Sequence, residues 1–469
     1  MRKTKLLSLF LAAAISVSAF AGLSSGAEPV GGAAELPVVT DVPAVPAVSD
    51  VPAVTEEPTE EPVKTVEVFG CTIPADATEV CFISGNQNDS LIGIYRDYSP
   101  DYGENYYYPW KGQKLNCAEI AEKLPNLKRL SILISDVDNL SELKKLKKLK
   151  TLELQVCKGT TDITFLKGMK QLTTLKYIDK DCENIAPVAA LTKLTTLVLS
   201  PSNKVTSLTP IKKLTKLKYL DLYCGFPDLK ALAGMKKLTT LKVDSSKLQS
   251  ISTLSKLTNL TELSIQASSS IKDISVIGKL TKLKKLMLHS MSLKSLSPLT
   301  KLKKLESLTV MYVNCSDIKT VIPKLKTLKE LALTEVVEGD CKFLSSLTNL
   351  ESLSLMMNNV TSLKGLEKLK KLKALDISYN DAKLDLTPIS GLTKLECLYI
   401  NNNKITDISP LAKLKRLTKL VMWGNEVTDY SVILNFKKME FLAPCSTIPD
   451  DLFAQFQKIN PDCKIDYWY

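Results

Sequence analysis

From residue 127 onward the chain repeats one arrangement of apolar and polar positions: a leucine, two variable residues, then two apolar residues separated by one outward position. Leu395, Leu398 and Ile400 show it, followed by Asn403, Ile405, Ile408 and Ser409-Pro410-Leu411, before Leu417 starts the next cycle. The leading leucine returns at Leu127, Leu149, Leu172, Leu194, Leu217, Leu238, Leu260, Leu283, Leu305, Leu328, Leu350, Leu372, Leu395 and Leu417, always 21 to 23 residues after the last. A fixed period of this size means an array whose units bury their apolar faces only against their neighbours.

Two elements follow from the spacing. The apolar pair at period two is strand behaviour, so each cycle opens on a short strand. Strands of successive cycles stack about 4.8 Å apart, which makes fourteen of them a parallel sheet on the order of 65 Å long. The second half of the cycle is too short for a stable helix and carries Pro210, Pro298, Pro388 and Pro410, so 3₁₀ turns are expected there. Narrow strands on one side and broader turns on the other impose curvature. The predicted fold class is an α/β solenoid: a curved horseshoe with a parallel β-sheet on the concave face, 3₁₀ or irregular turns on the convex face, and about 14 repeats plus end caps.

The motif is the leucine-rich repeat. With its 22-residue unit and Ile-x-x-Ile-Ser-Pro-Leu second half (Ile405 to Leu411), the stretch from Leu127 to Met439 resembles the short bacterial repeats of the internalin family. That resemblance implies a secreted or surface-exposed bacterial binding protein with no catalytic residues. One departure is clear. The Asn expected at the ninth position is present only as Asn358, Asn380, Asn403 and Asn425. Ser135, Cys157, Lys180, Ser202, Gly225, Ser246, Ser268, Met291, Val313 and Val336 replace it earlier. The first ten turns are therefore expected to satisfy their buried backbone groups less uniformly, with local irregularity on that side.

The array sets the rest of the organisation. Residues 1–21 read as a signal peptide, with Arg2, Lys3 and Lys5 before an apolar run and Ala19-Phe20-Ala21 as the cleavage site. Residues 22–63 are a Pro/Glu-rich linker with too little apolar surface to bury. Residues 64–126 form an N-terminal cap that holds a degenerate first repeat, with Val80 and Phe82 facing inward and a helix near Ala118 to Leu124. An aromatic insertion at 95–110 sits in it, bearing Tyr95, Tyr98, Tyr102, Tyr106, Tyr107, Tyr108 and Trp110. Those rings either stack on a ligand or cover the solenoid end. A calcium loop at Asp97 to Gly103 is a weak match. The solenoid spans 127–438, and residues 439–469 close it with a short helix after Pro449.

Counting outward positions gives three rows along the concave face. Large apolar or aromatic groups there are informative because the fold does not require them. Tyr219, Tyr223, Met287, His289, Met311, Met356, Tyr399 and Trp423 stand out as candidate partner contacts, with Asp221, Asp244, Glu262, Gln266 and Glu330 beside them. Scattered surface hydrophobes on an ordinary strand remain the alternative.

Composition changes the picture in three ways. Sixty-two basic against 50 acidic residues give a net charge of +12, and Lys or Arg pairs before the leading leucines form a ridge along one edge. This ridge either binds an anionic polymer or keeps the edge wet. Eleven cysteines are an odd number for an exported chain. Cys182, Cys315 and Cys341 fall in core slots, so pairing is more plausible for Cys71 with Cys81 or Cys445 with Cys463. Finally, His289 is the sole histidine, and no phosphate-cradling glycine motif or Cys-x-x-Cys is present, so neither catalysis, a cofactor nor a metal is expected.

The expected function is non-catalytic recognition of a protein partner by a monomer, secreted or held at the cell surface. Glycan or wall-polymer binding is the alternative. No nucleic acid partner and no membrane span after signal removal are expected.

Overall fold

In a computed structural model the described residues are 64–84, 107–110, 114–155, 157–267 and 269–467. The signal peptide, the whole linker, the calcium-loop candidate and the rings at 95–106 lie outside them. Val66–Tyr469 forms one compact unit.

That unit is a solenoid around one open parallel sheet. Strand Glu79–Ser84 lies between the edge strand Tyr107–Trp110 and Arg129–Leu133. From there the strands follow in chain order, one per turn, to Phe441–Ala443 and Lys464–Ile465. Register holds throughout: Thr196 stands against Tyr219, Tyr219 against Thr240, and Thr240 against Glu262. A one-residue slip would turn every inward leucine outward, so the buried face fixes it.

Inside the sheet runs a single apolar core. All leading leucines are buried, as are strand residues such as Leu197, Leu199, Leu398 and Ile400, each at 0% exposure. Each side chain contributes roughly 1.5–3 kcal/mol before entropy, so neighbouring turns stabilise one another and no turn stands alone. Opposite the sheet the chain forms 3₁₀ turns, several of which carry Pro in the first two positions, as at Thr209–Ile211, Ser297–Lys301, Thr387–Ile389 and Ser409–Lys413. Many begin with an acidic side chain that accepts the N–H two residues on, among them Asp162 to Thr164, Asp228 to Lys230 and Asp407 to Ser409. This is local chemistry: the side chain satisfies a donor that the short turn leaves open.

The ends are covered differently. Helix Cys117–Lys123, with Asn116 accepting from the Ala118 N–H, buries Cys117, Ile120 and Ala121 beside Val80, Phe82 and the first turns. At the other end, Asp450–Ile459 buries Phe456. Asn460 follows it, donating to the Phe436 carbonyl at 2.7 Å and accepting from the Met439 N–H at 2.9 Å. The sheet therefore continues through residue 443 in the same register, and Asn460 performs in the cap the task of the ninth-position asparagines. No described helix is long and apolar enough to cross a membrane.

The asparagines tie turns together as expected. Asn403 donates to the carbonyls of Ile377 at 3.0 Å and Ile400 at 2.9 Å, and accepts from the Asn380 N–H at 3.0 Å. Asn358, Asn380 and Asn425 repeat the pattern. The expected irregularity of the earlier turns is, however, mild. Their strands run five or six residues, as in Thr240–Ser245 and Glu262–Ala267, so sheet pairing continues where the asparagine would act. Substitutes do the rest: the Cys157 thiol donates to the Ile132 carbonyl, the Ser245 hydroxyl to the Phe226 carbonyl, and Asp179 collects bonds from Tyr177, Thr160 and the Asp181 N–H.

All eleven cysteines are free thiols, including Cys71, Cys81, Cys445 and Cys463, so neither expected cap bridge is formed. Cys182 and Cys341 are fully buried, as their slots require, while Cys315 is half-buried and donates to Asp317.

A candidate partner-binding concave face

The sheet register converts the three counted rows into three lines of neighbours. Tyr219, Glu262 and Glu330 share the first row, Asp221, Met287 and Tyr399 the second, and Tyr223, Asp244, Gln266, His289 and Met311 the third. Met356 and Trp423 lie two residues beyond the shorter strands Ser352–Ser354 and Lys419–Val421. Side chains here stand off the sheet because their partners in alternation fill the core.

The candidates separate into two groups. In the middle turns the face is polar and charged. Strand Tyr219–Tyr223 places Asp221 between two tyrosines whose hydroxyls both donate to its Oδ2, from Tyr219 at 3.3 Å and Tyr223 at 3.4 Å. Asp221 is 6% exposed, and its Oδ1 has no donor within reach. Burial pushes the Asp221 carboxyl up to about 6, with Lys242 and the tyrosine bonds opposing the rise. Burial also raises Asp244. Lys242 stands over the Tyr219 ring, 5.8 Å from its centroid, and reaches Glu262 at 3.9 Å. Tyr223 is 41% exposed, the one exposed large apolar side chain among the described residues.

Toward the C-terminus the face is apolar and aromatic. His289 pairs in register with Gln266 and Met311, not with Asp244 or Glu262. Its Nδ1 meets the Ser290 hydroxyl at 2.8 Å and its ring meets Tyr312 edge-on at 5.3 Å. Burial holds the imidazole below its ordinary value, so it is neutral at pH 7. Trp423 packs edge-on against Tyr379 at 5.7 Å. Lys419 lies over both Tyr399 (5.6 Å) and Phe441 (5.0 Å), a cation–π arrangement that keeps the lysine stem extended along the face.

Tyr312, Tyr379 and Met357 belong to this group, and row counting passed them by. Each follows the third row by one residue and has a left-handed backbone, as do Ile134, Ser290, Glu335 and Asn402, with φ between 50° and 58°. That conformation is costly for a side chain other than glycine or asparagine. The signal was available: the same 22-residue count, taken one place further, collects Tyr312, Met357 and Tyr379. What the sequence lacked was the turn that places this row beside the third.

Along this edge lysines find partners one turn back. The ridge lysine Lys371 donates to Asn349 at 2.8 Å, and Lys329 and Lys373, which follow their leading leucines, meet Glu306 at 3.0 Å and Glu351 at 2.9 Å. A shallow depression of about 580 Å³ opens among Lys284, Lys303, Lys304, Lys329 and Lys371. Among the described residues no group of three or more His, Cys, Asp or Glu is placed to hold a metal ion.

A continuous ladder of short parallel strands, 3₁₀ turns behind it and an asparagine stitch define the class: this chain has a leucine-rich repeat fold. The family Leucine Rich repeats (2 copies) matches residues 192–234 and 393–435. Within that class the architecture is internalin-like. The chain is similar to an internalin, inlF, from Listeria monocytogenes at 24% identity, over 68% of this chain and 87% of that one, with a TM-score of 0.50. The functional domain of InlJ from the same species, described as including a cysteine ladder, aligns at 20% identity over 71% and 67%, with a TM-score of 0.50. A leucine-rich repeat protein of Leptospira interrogans aligns at 23% identity over 84% and 90%, with a TM-score of 0.48. No curated protein sequence matches the chain.

Proposed function

We propose that this chain is an exported, non-catalytic recognition protein that binds a protein partner through its concave face. The observation that carries the reading is the collection of large side chains on that face. Tyr223, Met287, His289, Met311, Met356, Tyr399 and Trp423 sit at outward positions in six of the turns between Leu217 and Leu417, where packing of the core does not ask for them. Tyr and Trp anchors surrounded by charged neighbours are the composition of interface hot spots. The Listeria relatives and the signal-like first 21 residues support an extracellular place of action.

The test is affinity capture with the whole chain beside a variant carrying Tyr223→Ala, His289→Ala, Met311→Ala and Trp423→Ala. Retention of a partner by the parent and its loss by the variant, whose fold is checked by circular dichroism, is the expected outcome. The lysine depression supports a second reading, binding of an anionic wall polymer. In that case both forms retain the same material and added salt strips it from both.

A further inference from the structure

Of everything on the concave face, the Tyr219–Asp221–Tyr223 strand is the place where the fold holds a buried carboxylate without an ion pair. The carboxylate is almost completely buried, its Oδ1 lacks a donor, and its Oδ2 is held by two long hydroxyl bonds. A buried carboxylate normally recruits a cation or several short donors. Lys242 stands opposite Asp221 in register and its charge partly offsets the carboxylate, but its nitrogen reaches Glu262 at 3.9 Å and lies over the Tyr219 ring, so the compensation is incomplete.

The other surroundings supply no counter-charge. On the preceding strand Thr196, Val198 and Ser200 face the same way, and none of them titrates. On the following strand Asp244 stands opposite Tyr223 and adds a second carboxylate that forms no ion pair. Two strands back, Lys176 is already engaged by the buried Glu153 at 3.1 Å. So a chain of net charge +12 carries, at the middle of its concave face, a local excess of negative charge framed by two phenol rings.

We infer that this strand is a pocket for a basic side chain, an arginine guanidinium, presented by the partner bound on the concave face. Each tyrosine hydroxyl, having donated its proton to Asp221, turns its oxygen lone pairs outward toward the cation. The phenol oxygens accept from the guanidinium, and the carboxylate behind them supplies the field. Tyr223, exposed at the rim, admits the group. Because burial raises the Asp221 carboxyl, protonation on mild acidification switches the field off. This inference rests on the concave-face reading but specifies the chemistry it selects.

The test uses the whole chain with tyrosine rings isotopically labelled, titrated by NMR with acetyl-Gly-Gly-Arg-Gly-Gly-amide and with its citrulline counterpart, which is neutral and of the same shape. The expected result is millimolar binding that shifts the Tyr219 and Tyr223 ring signals for the arginine peptide alone. Binding weakens at least fivefold in Asp221→Asn and in Tyr223→Ala, the latter a rim substitution that leaves the core intact. It also weakens up to tenfold between pH 7.5 and pH 5, and Lys242→Gln strengthens it. Equal binding of the citrulline peptide, absence of binding by either, or unchanged binding in both Asp221→Asn and Tyr223→Ala overturns the inference. Neither outcome bears on capture by the concave face as a whole: a partner lost by the fourfold variant with no arginine binding removes the pocket and leaves the recognition reading standing.

Discussion

The middle turns and the C-terminal turns of the solenoid solve one problem in two ways. Every turn leaves buried carbonyls and N–H groups where the chain bends off the strand, and these must be paired. From Asn358 onward a single side chain does it, bonding to the preceding turn and to its own. Between residues 174 and 267 longer strands keep pairing with their neighbours, and assorted Ser, Asp and Tyr groups supply what is left. The concave face changes character earlier than the stitch does: Asp221, Asp244 and Glu262 mark its charged part, while Met287, His289 and Met311 already belong to the aromatic and apolar part although their strands are still five residues long. A shared backbone plan therefore does not demand a shared stitch, and the character of the face is set separately from the way the backbone is paired.

Three substitutions probe that comparison. The largest effect belongs to Asn403→Ala, which strands the Asn380 N–H and takes one of two amide donors from each of the Ile377 and Ile400 carbonyls, leaving them Asn380 and Asn425. At about 1–3 kcal/mol for the buried N–H left unpaired and less for each carbonyl that keeps a donor, a loss of roughly 2–4 kcal/mol is expected. It should appear in urea unfolding and as lost amide-exchange protection confined to the C-terminal turns. Protection lost evenly along the array would mean that the stitch is not local.

Next is Asp221→Asn, with the opposite sign. The folded carboxyl sits at about 6 against an ordinary 3.8, so the folded state holds the proton more tightly than the unfolded one. Ionising it costs about 3 kcal/mol, and the parent loses that stability as pH rises from roughly 4 to 6. The variant should be more stable at pH 7.5 by about 1–3 kcal/mol and equal to the parent near pH 4, measured as urea midpoints across pH. A variant less stable than the parent at pH 7.5 would show the carboxylate to be structural.

Smallest is Ser245→Ala, which removes the one bond to the Phe226 carbonyl at 2.8 Å. A loss of about 1 kcal/mol by urea unfolding is expected. If it matched Asn403→Ala, the two regions would be held alike and the contrast would fail.

Much of this protein was legible from spacing. The leading leucines, inward Val80 and Phe82, the 3₁₀ turns at Pro210 or Pro410 and the row that joins Tyr219 to Glu262 all follow from one period and one alternation. Asp162 and its counterparts, two residues before a turn's open N–H, were equally readable but are polar positions that a search for apolar periods skips.

What the sequence by itself determined is thus the solenoid, its register and which side chains point out of the core, because a repeated burial pattern admits only one stacking. The tertiary structure alone decided how those outward groups are grouped and charged. That Tyr219 and Tyr223 close over Asp221, that Lys242 turns to Glu262 instead, and that Tyr312 and Tyr379 meet His289 and Trp423 depends on rotamers and left-handed turns spanning neighbouring strands. A period counts residues along the chain, whereas desolvation and pairing depend on what lies within a few ångströms across it.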